Sequence, residues 1–224
     1  MRTNNVSKKE FFIPLCLLVL LVLGARAFAS SDEWRHGATQ EEDPKILISG
    51  IMHSAVLELR SEEEVDPHEL VKRILMPHVD VLKMSKLILG RNWNQFTTEQ
   101  QEEFAFLFEA TLNKMYAAYL LEYKDTMAIT FRPTSFNTNR TRAGVKMRLH
   151  LTATTKVDTI FLLHVVEGKW YIYNFSIDGI NFGIIYRNTY KQLINNLGIE
   201  GVLERMREKL NMLSETDRNN LDHD

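Results

Sequence analysis

Apolar positions recur at three- and four-residue spacing through the first half of the chain and alternate through much of the second. The strongest helical stripe runs through Phe104, Phe108, Leu112, Met115, Tyr119 and Tyr123, widened by Phe106, Leu107, Tyr116 and Leu120. It predicts one long helix ending near Tyr123. A capping box opens it, either Thr97 with Gln100 or Thr98 with Gln101, each side chain satisfying the other's free backbone N–H. Upstream, Asp43-Pro44 offers an N-cap followed by proline at the first helical position. The stripe Ile46, Leu47, Ile51, Val56 and Leu59 follows to about Arg60. Asp66-Pro67-His68-Glu69 repeats that device and opens a short helix through Met76, which Pro77 ends. Asp80 caps the next helix, to Leu89, and Gly90 supplies the left-handed residue that closes it. Four helices precede the sheet.

From Met127 the period shortens. Met127–Arg132 reads as a strand stopped by Pro133, and Asn137–Arg140 is turn chemistry. Val145, Met147, Leu149, Leu151 and Ala153 then face one way, and Lys146, Arg148, His150, Thr152 and Thr154 the other. One dry face and one wet face describe an antiparallel sheet with helices on a single side. Thr159–Val166 is apolar on both faces, as in a central strand, and Glu167-Gly168-Lys169 turns it into Trp170–Phe175. Helical spacing returns at Tyr186, Tyr190, Leu193, Ile194 and Leu197; Ile199–Leu213 is a last amphipathic helix, and residues 214–224 a polar tail. The pattern predicts one α+β domain over residues 43–213, an antiparallel sheet of about four strands packed by N-terminal and C-terminal helices.

The first 29 residues change the picture of compartment. Arg2, Lys8 and Lys9 precede an apolar run from Phe11 to Gly24, and Ala27 and Ala29 are the small residues of a cleavage site. That is a secretory signal peptide, cleaved near Ala29. A retained anchor fits less well, because the run has 14 residues and a span needs about 20. Cys16 lies mid-run after Pro14-Leu15, which argues against a lipid anchor, and residues 30–42 read as a disordered lead. Cleavage removes Arg2, Lys8, Lys9 and Arg26 with Glu10, leaving 23 basic and 28 acidic residues, a net charge of −5. A net-acidic chain argues against nucleic acid and against electrostatic adsorption to an anionic membrane. The only cysteine leaves with the leader, so no disulfide staples the exported domain.

Candidate chemistry is sparse. The sequence has no nucleophile elbow, phosphate-binding glycine loop, His-Glu-x-x-His or cysteine ligand set. His150 and His164 sit on strands expected to pair, but two imidazoles form neither a metal site nor a triad. Asp66, Asp80 and Asp178 read as cap and turn residues. What stands out is the surplus of aromatic and methionine side chains on the long helix, facing Met147, Leu149, Leu151, Phe161, Leu163 and Trp170 of the sheet. Such side chains suit a pocket that adapts to a flexible apolar ligand.

A further set of residues carries a family likeness. Pro77-x-x-Asp80, Leu89-Gly90-x-x-Trp93, Glu99-Gln100 with Phe104 and Phe108, and Tyr119-x-x-x-Tyr123 form one block. Gly168-x-Trp170-x-Ile172-Tyr173, Gly179 and Tyr186-Arg187-x-x-Tyr190 form a second. In this order and spacing the chain resembles the MlaC family, periplasmic phospholipid-binding components of the Mla lipid-transport system, also called the toluene-tolerance auxiliary family. Tyr173-Asn174 stands where the family usually has Tyr-Asp, Asp178-Gly179 where Glu-Gly is common, and residues 30–65 carry little of the likeness.

The resemblance implies a non-enzymatic periplasmic carrier without cofactor or metal, its curved sheet set against helices with acyl chains between. It implies passage of phospholipid between an outer-membrane lipoprotein complex and an inner-membrane ABC transporter with a membrane-anchored periplasmic subunit. The tail-facing residues would be Phe104, Phe108, Met115, Tyr119, Met147, Leu149, Leu151, Phe161 and Leu163, and Arg187 would meet the head-group phosphate. Two alternatives keep the pocket: an enzyme acting there on a small apolar substrate, or a carrier of an isoprenoid or polycyclic lipid. A filled core without a cavity would instead mark a scaffold or interaction protein.

Overall fold

Pairing and packing turn these periodicities into a sheet with helices on one side. The computed structural model describes residues 43–59, 61, 66–122, 128–150 and 154–221. The leader and the segment 30–42 lie outside the described residues.

Helix α1 (Pro44–Leu59) begins where Asp43 accepts from the Lys45 N–H at 2.8 Å. It buries Leu47, Ile48, Ile51, Met52 and Ala55, and packs on the sheet. Ile46, expected on the core stripe, is 62% exposed. It stands on the side of the helix opposite the arc that the buried set sweeps at 3.6 residues per turn. Val56 lies outside the described side chains.

Helix α2 (Pro67–Leu70) is opened by Asp66, which accepts from the His68 N–H at 2.8 Å. The predicted helix does continue past Leu70, first as a π turn (Val71–Leu75), then as a 3-10 turn (Met76–His78). Pro77 has no N–H for the α ladder, so the register changes ahead of it. The chain leaves this turn extended: Val79 bridges Ile172 in parallel, and the Asp80 N–H donates to the Ile172 carbonyl at 2.8 Å.

Asp80 then caps α3 (Val81–Leu89) by accepting from the Lys83 N–H at 2.8 Å. Gly90 follows at φ 56° and opens a 3-10 turn (Gly90–Gln95). Of the two possible boxes, Thr97 with Gln100 forms. The Thr97 N–H donates to Gln100 Oε1 at 3.1 Å, and the Gln100 N–H to the Thr97 hydroxyl at 3.3 Å. Gln101 instead donates to the carbonyls of Trp93 and Phe96, tying the preceding turn to α4 (Thr98–Glu122).

The sheet has six strands: β1 (Ala128–Phe131), β2 (Ser135–Phe136), β3 (Arg142–His150), β4 (Lys156–Val166), β5 (Lys169–Ile177) and β6 (Ile180–Asn181). All pairings are antiparallel, in the order β1-β3-β4-β5-β6 with β2 beside β1 on β3. The four long strands are the expected ones; β2 and β6 have two residues each, too few to carry an alternation. Both β4–β5 and β5–β6 turn through two positive-φ residues, Glu167-Gly168 and Asp178-Gly179, whose hand matches strand twist. A register shift at Leu162/Leu163 bends β4 where it crosses β5. Val145, Met147, Leu149, Phe161 and Leu163 are buried on the helix side, and Lys146 is exposed on the other.

Helix α5 (Phe182–Leu221) is bent at Gly198, whose φ of 70° and ψ of 179° divide it where two helices were expected. It runs on through residues 214–221, expected as a polar tail. Its second half is pinned to α4 by Arg207, whose guanidinium donates to Glu103 at 2.7 Å and to Glu204 at 2.6 Å. These carboxylates raise the Arg207 pKa above the usual guanidinium range.

An alanine methyl has open space at Gly198, but the backbone region is one that side-chain-bearing residues scarcely occupy. Gly198→Ala is expected to lower stability by about 1–3 kcal/mol, read as a lower urea midpoint at unchanged m-value.

Candidate functional site

Rings on α4 meet rings on α5 before they meet the sheet. Phe104 packs edge-on against Tyr190 with centroids 5.0 Å apart, and Phe108 against Tyr186 at 6.3 Å. Phe182 stacks on Tyr186 at 4.1 Å and reaches Phe175 of β5 at 4.4 Å, while Phe96 caps the far end on Phe104 at 6.0 Å. This aromatic wedge joins α4, α5 and β5. Burial raises the phenol pKa values of Tyr186 and Tyr190, so both stay neutral and hold the wedge together across physiological pH.

Beyond the wedge lies an apolar cavity. Leu75 and Met76 of the π and 3-10 turns with the extended Val79 form one wall, Met84 of α3 and Leu112 of α4 a second, and Phe161, Ile172 and Phe175 of the sheet a third. Every lining side chain is apolar. The open space measures about 20 Å³, room for about one water-sized sphere. This cavity alone is far smaller than the hydrocarbon-sized hollow expected from the sequence. Methionines at two of the eight wall positions make this wall adaptable.

The predicted tail-facing residues separate into groups. Phe161 lines the cavity; Phe104 and Phe108 belong to the wedge; Met147, Leu149 and Leu163 are buried on the inner face of the sheet. Met115 and Tyr119 lie on α4 outside the described side chains, and Leu151 lies outside the described residues. Phe106, expected to widen the α4 stripe, is 67% exposed on the opposite side of the helix. Of the eight wall residues only Phe161 was expected to face the tails; Leu75, Met76, Val79, Met84, Leu112, Ile172 and Phe175 were missed. Leu75, Met76 and Val79 stand around Pro77, in a stretch whose mixed helical turns leave no single period to follow.

Arg187 points elsewhere. Its Nε donates to the Leu87 carbonyl at 2.8 Å, capping the end of α3, and its stem lies over Gly90, where an added Cβ would stand 3.4 Å from Nε. With Arg91 and Lys191 it rims an open cleft of about 520 Å³ that also touches Asn92 and Asn195. No carboxylate lines this cleft, and Arg187 does not line the apolar cavity.

His150 and His164 do not come together. The register sets His150 opposite Lys156 and His164 opposite Arg142, at opposite ends of the β3–β4 pair. His150 meets the Thr130 hydroxyl at 3.1 Å. His164 is buried, donating Nε2–H to Asp80 Oδ2 at 2.8 Å, edge-on to Tyr173 at 5.4 Å, with Lys83 over the tyrosine ring. Burial and Lys83 depress its pKa against the opposing pull of Asp80. The pair latches the start of α3 to β4, outside the cavity wall. Among the described residues no three His, Cys, Asp or Glu side chains are grouped as a metal would require.

An open antiparallel sheet, helices on one face and an apolar interior between define a binding fold. The sequence profile of the MlaC protein family matches residues 54–208, and the chain belongs to this family. It is 28% identical over 132 residues to the toluene tolerance protein ttg2D of Pseudomonas putida, covering 58% of this chain. The chain spans 60% of that relative's length. Among solved structures it is similar to the phospholipid-binding protein of Ralstonia solanacearum, determined in complex with a phospholipid. The TM-score is 0.66 at 20% identity, over 76% of this chain and 96% of the other.

Because folding depresses the His164 pKa, the unfolded chain takes up its proton first as pH falls. Stability is therefore expected to drop as pH is lowered through about 6.5. Thermal melts of wild type and His164→Gln across this window should show a steeper acid loss in wild type.

Proposed function

We propose that this chain is a periplasmic carrier that encloses the acyl chains of a glycerophospholipid between α4 and the sheet. Membership of the MlaC family supports this, as does the phospholipid bound by the Ralstonia solanacearum structural relative. The observation that carries it is the cavity, whose every lining side chain is apolar. A lipid tail asks of such a wall no hydrogen bond and no charge. No acid, base or nucleophile lines it, and binding without catalysis is the chemistry it supports.

The small size of that cavity sets a condition. For two tails to enter, the wall of Leu112, Met84 and Met76 moves away from Phe161, Ile172 and Phe175. The π and 3-10 turns ahead of α3 are the natural place for that movement, since their hydrogen bonding is already irregular. Phe161, with Met147, Leu149 and Leu163 behind it, forms the sheet side of the tail site; Phe104 and Phe108 close its end with the aromatic wedge. Met115, Tyr119 and Leu151 keep the tail-facing role expected from the sequence. The head group remains wet, and Arg187 with Arg91 and Lys191 offers its phosphate three cations around an open cleft.

In this reading the carrier is secreted by its cleaved leader. It exchanges lipid with an outer-membrane lipoprotein complex and with an inner-membrane ABC transporter bearing a membrane-anchored periplasmic subunit.

The mature chain purified from a Gram-negative periplasm should yield glycerophospholipid on extraction and mass spectrometry. Leu112→Trp fills the cavity at a cost of about 1–3 kcal/mol in stability. It should remain folded by circular dichroism and retain several-fold less lipid. Wild-type lipid content in a folded Leu112→Trp protein would remove α4 from the tail site.

A further inference from the structure

Charge is not spread evenly over this protein. Its overall charge is −2, yet the outward face of the sheet carries Arg132, Arg142, Lys146, Arg148, Lys156 and Lys169 against one carboxylate on the strands, Asp158. The register explains why they gather. Arg142, Lys146 and Arg148 alternate with the buried Ala143, Val145, Met147 and Leu149 on β3, so all three must point away from the helices. Lys156 and Lys169 share this side through their pairing with His150 and Val166. Asp158 is already engaged: Arg148 binds both its oxygens at 2.7 Å, and Arg132 stands 3.7 Å away. Glu167 and Asp178 stand in the turns at the ends of the sheet, and Asp178 Oδ1 is held by the Asp158 N–H. Between the cations, half-buried Ile160, Leu162, Tyr171 and Tyr173 give the face an amphipathic middle.

We propose that this face seats the protein on an anionic phospholipid bilayer. The cations are distributed over three adjacent strands, an array spread in two dimensions as lipid phosphates are; a single acidic peptide would engage one row. Tyrosines with a polar tip and apolar ring suit the head-group layer, and lysine stems lie along apolar surface while their heads reach phosphate. The net charge of the whole chain conceals this, because folding segregates the signs. The proposal rests on the carrier reading for its purpose, since a carrier that trades lipid with membranes gains from being held at their surface. Its physical claim stands apart from cargo.

The test is co-sedimentation of the mature chain with vesicles of phosphatidylglycerol and phosphatidylcholine in equal parts, and of phosphatidylcholine alone. Wild type should bind the anionic vesicles at low salt and leave them at about 1 M salt, where screening shortens to about 3 Å. Each cation near an anionic surface is worth about five-fold in partitioning. Lys146→Glu/Lys156→Glu should therefore bind at least about 25-fold more weakly, with Lys146→Gln/Lys156→Gln between it and wild type. The helix-side control Lys72→Glu/Arg205→Glu should lose much less. Equal loss in sheet and control variants, equal binding to phosphatidylcholine alone, or binding that persists in high salt would overturn the proposal. So would wild type that ignores vesicles but captures poly-glutamate, which would point to an acidic protein partner. Phospholipid counted by mass spectrometry in the same variants should be unchanged. Salt-dependent vesicle binding by a wild type that never contains lipid would overturn the carrier reading and leave the docking face standing.

Discussion

Keeping hydrocarbon away from water is the constraint on which the rest depends. Each exposed methylene costs about 0.8 kcal/mol, so a diacyl lipid with on the order of 30 chain carbons meets a gross barrier of roughly 24 kcal/mol in crossing water unaided. A protein that carries such a ligand must enclose it almost completely. It must also stay folded when the ligand is gone, so the same walls have to close on one another. In the proposed carrier, side chains of Met76, Met84, Leu112, Phe161, Ile172 and Phe175 are the ones to meet that double demand. They leave room for about one water-sized sphere, and none has a polar atom that would object to being parted.

The architecture divides this labour between a rigid end and an adaptable one. At the rigid end, Phe96, Phe104, Phe108, Phe175, Phe182, Tyr186 and Tyr190 lock α4, α5 and β5 together through edge and stacked contacts. Arg207 adds a bridge across α4 and the bent half of α5. At the adaptable end, the path from Leu70 to Val81 passes through π, 3-10 and extended backbone within a dozen residues. Its anchors include Arg73 on Glu58 of α1, the Asp80 N–H on Ile172, and the Asp80 carboxylate shared between the Lys83 N–H and His164.

Much of this was legible in the residues. The alternation of Val145, Met147 and Leu149 with Lys146, Arg148 and His150 fixed the sheet's dry and wet sides, and Asp66, Asp80 and the Thr97–Gln100 box marked helix starts where caps do form. The break expected between Leu197 and Ile199 falls at Gly198, where the structure bends α5 at a φ and ψ that glycine adopts easily. The misses have physical causes. Two-residue strands such as Ser135–Phe136 have no period to read. Ile46 and Phe106 are apolar yet exposed, since burial follows the arc a helix turns to its partner and not hydrophobicity alone. The contact of Phe104 with Tyr190 and of Phe108 with Tyr186 is long-range, and no local pattern encodes it. Net charge, finally, says nothing of where each sign gathers once strands pair.

In the proposed carrier, loading with lipid separates α4 from the sheet. Glu109 on α4 and Lys146 on the outer face of β3 are both exposed, and the one native cysteine, Cys16, lies in the expected leader. Spin labels on Glu109→Cys/Lys146→Cys therefore report the gap by pulsed electron paramagnetic resonance without disturbing the interior. Phospholipid-loaded protein should show a distance distribution longer by several ångström than the lipid-extracted protein. Superimposable distributions from samples that differ by a full equivalent of bound lipid would contradict it.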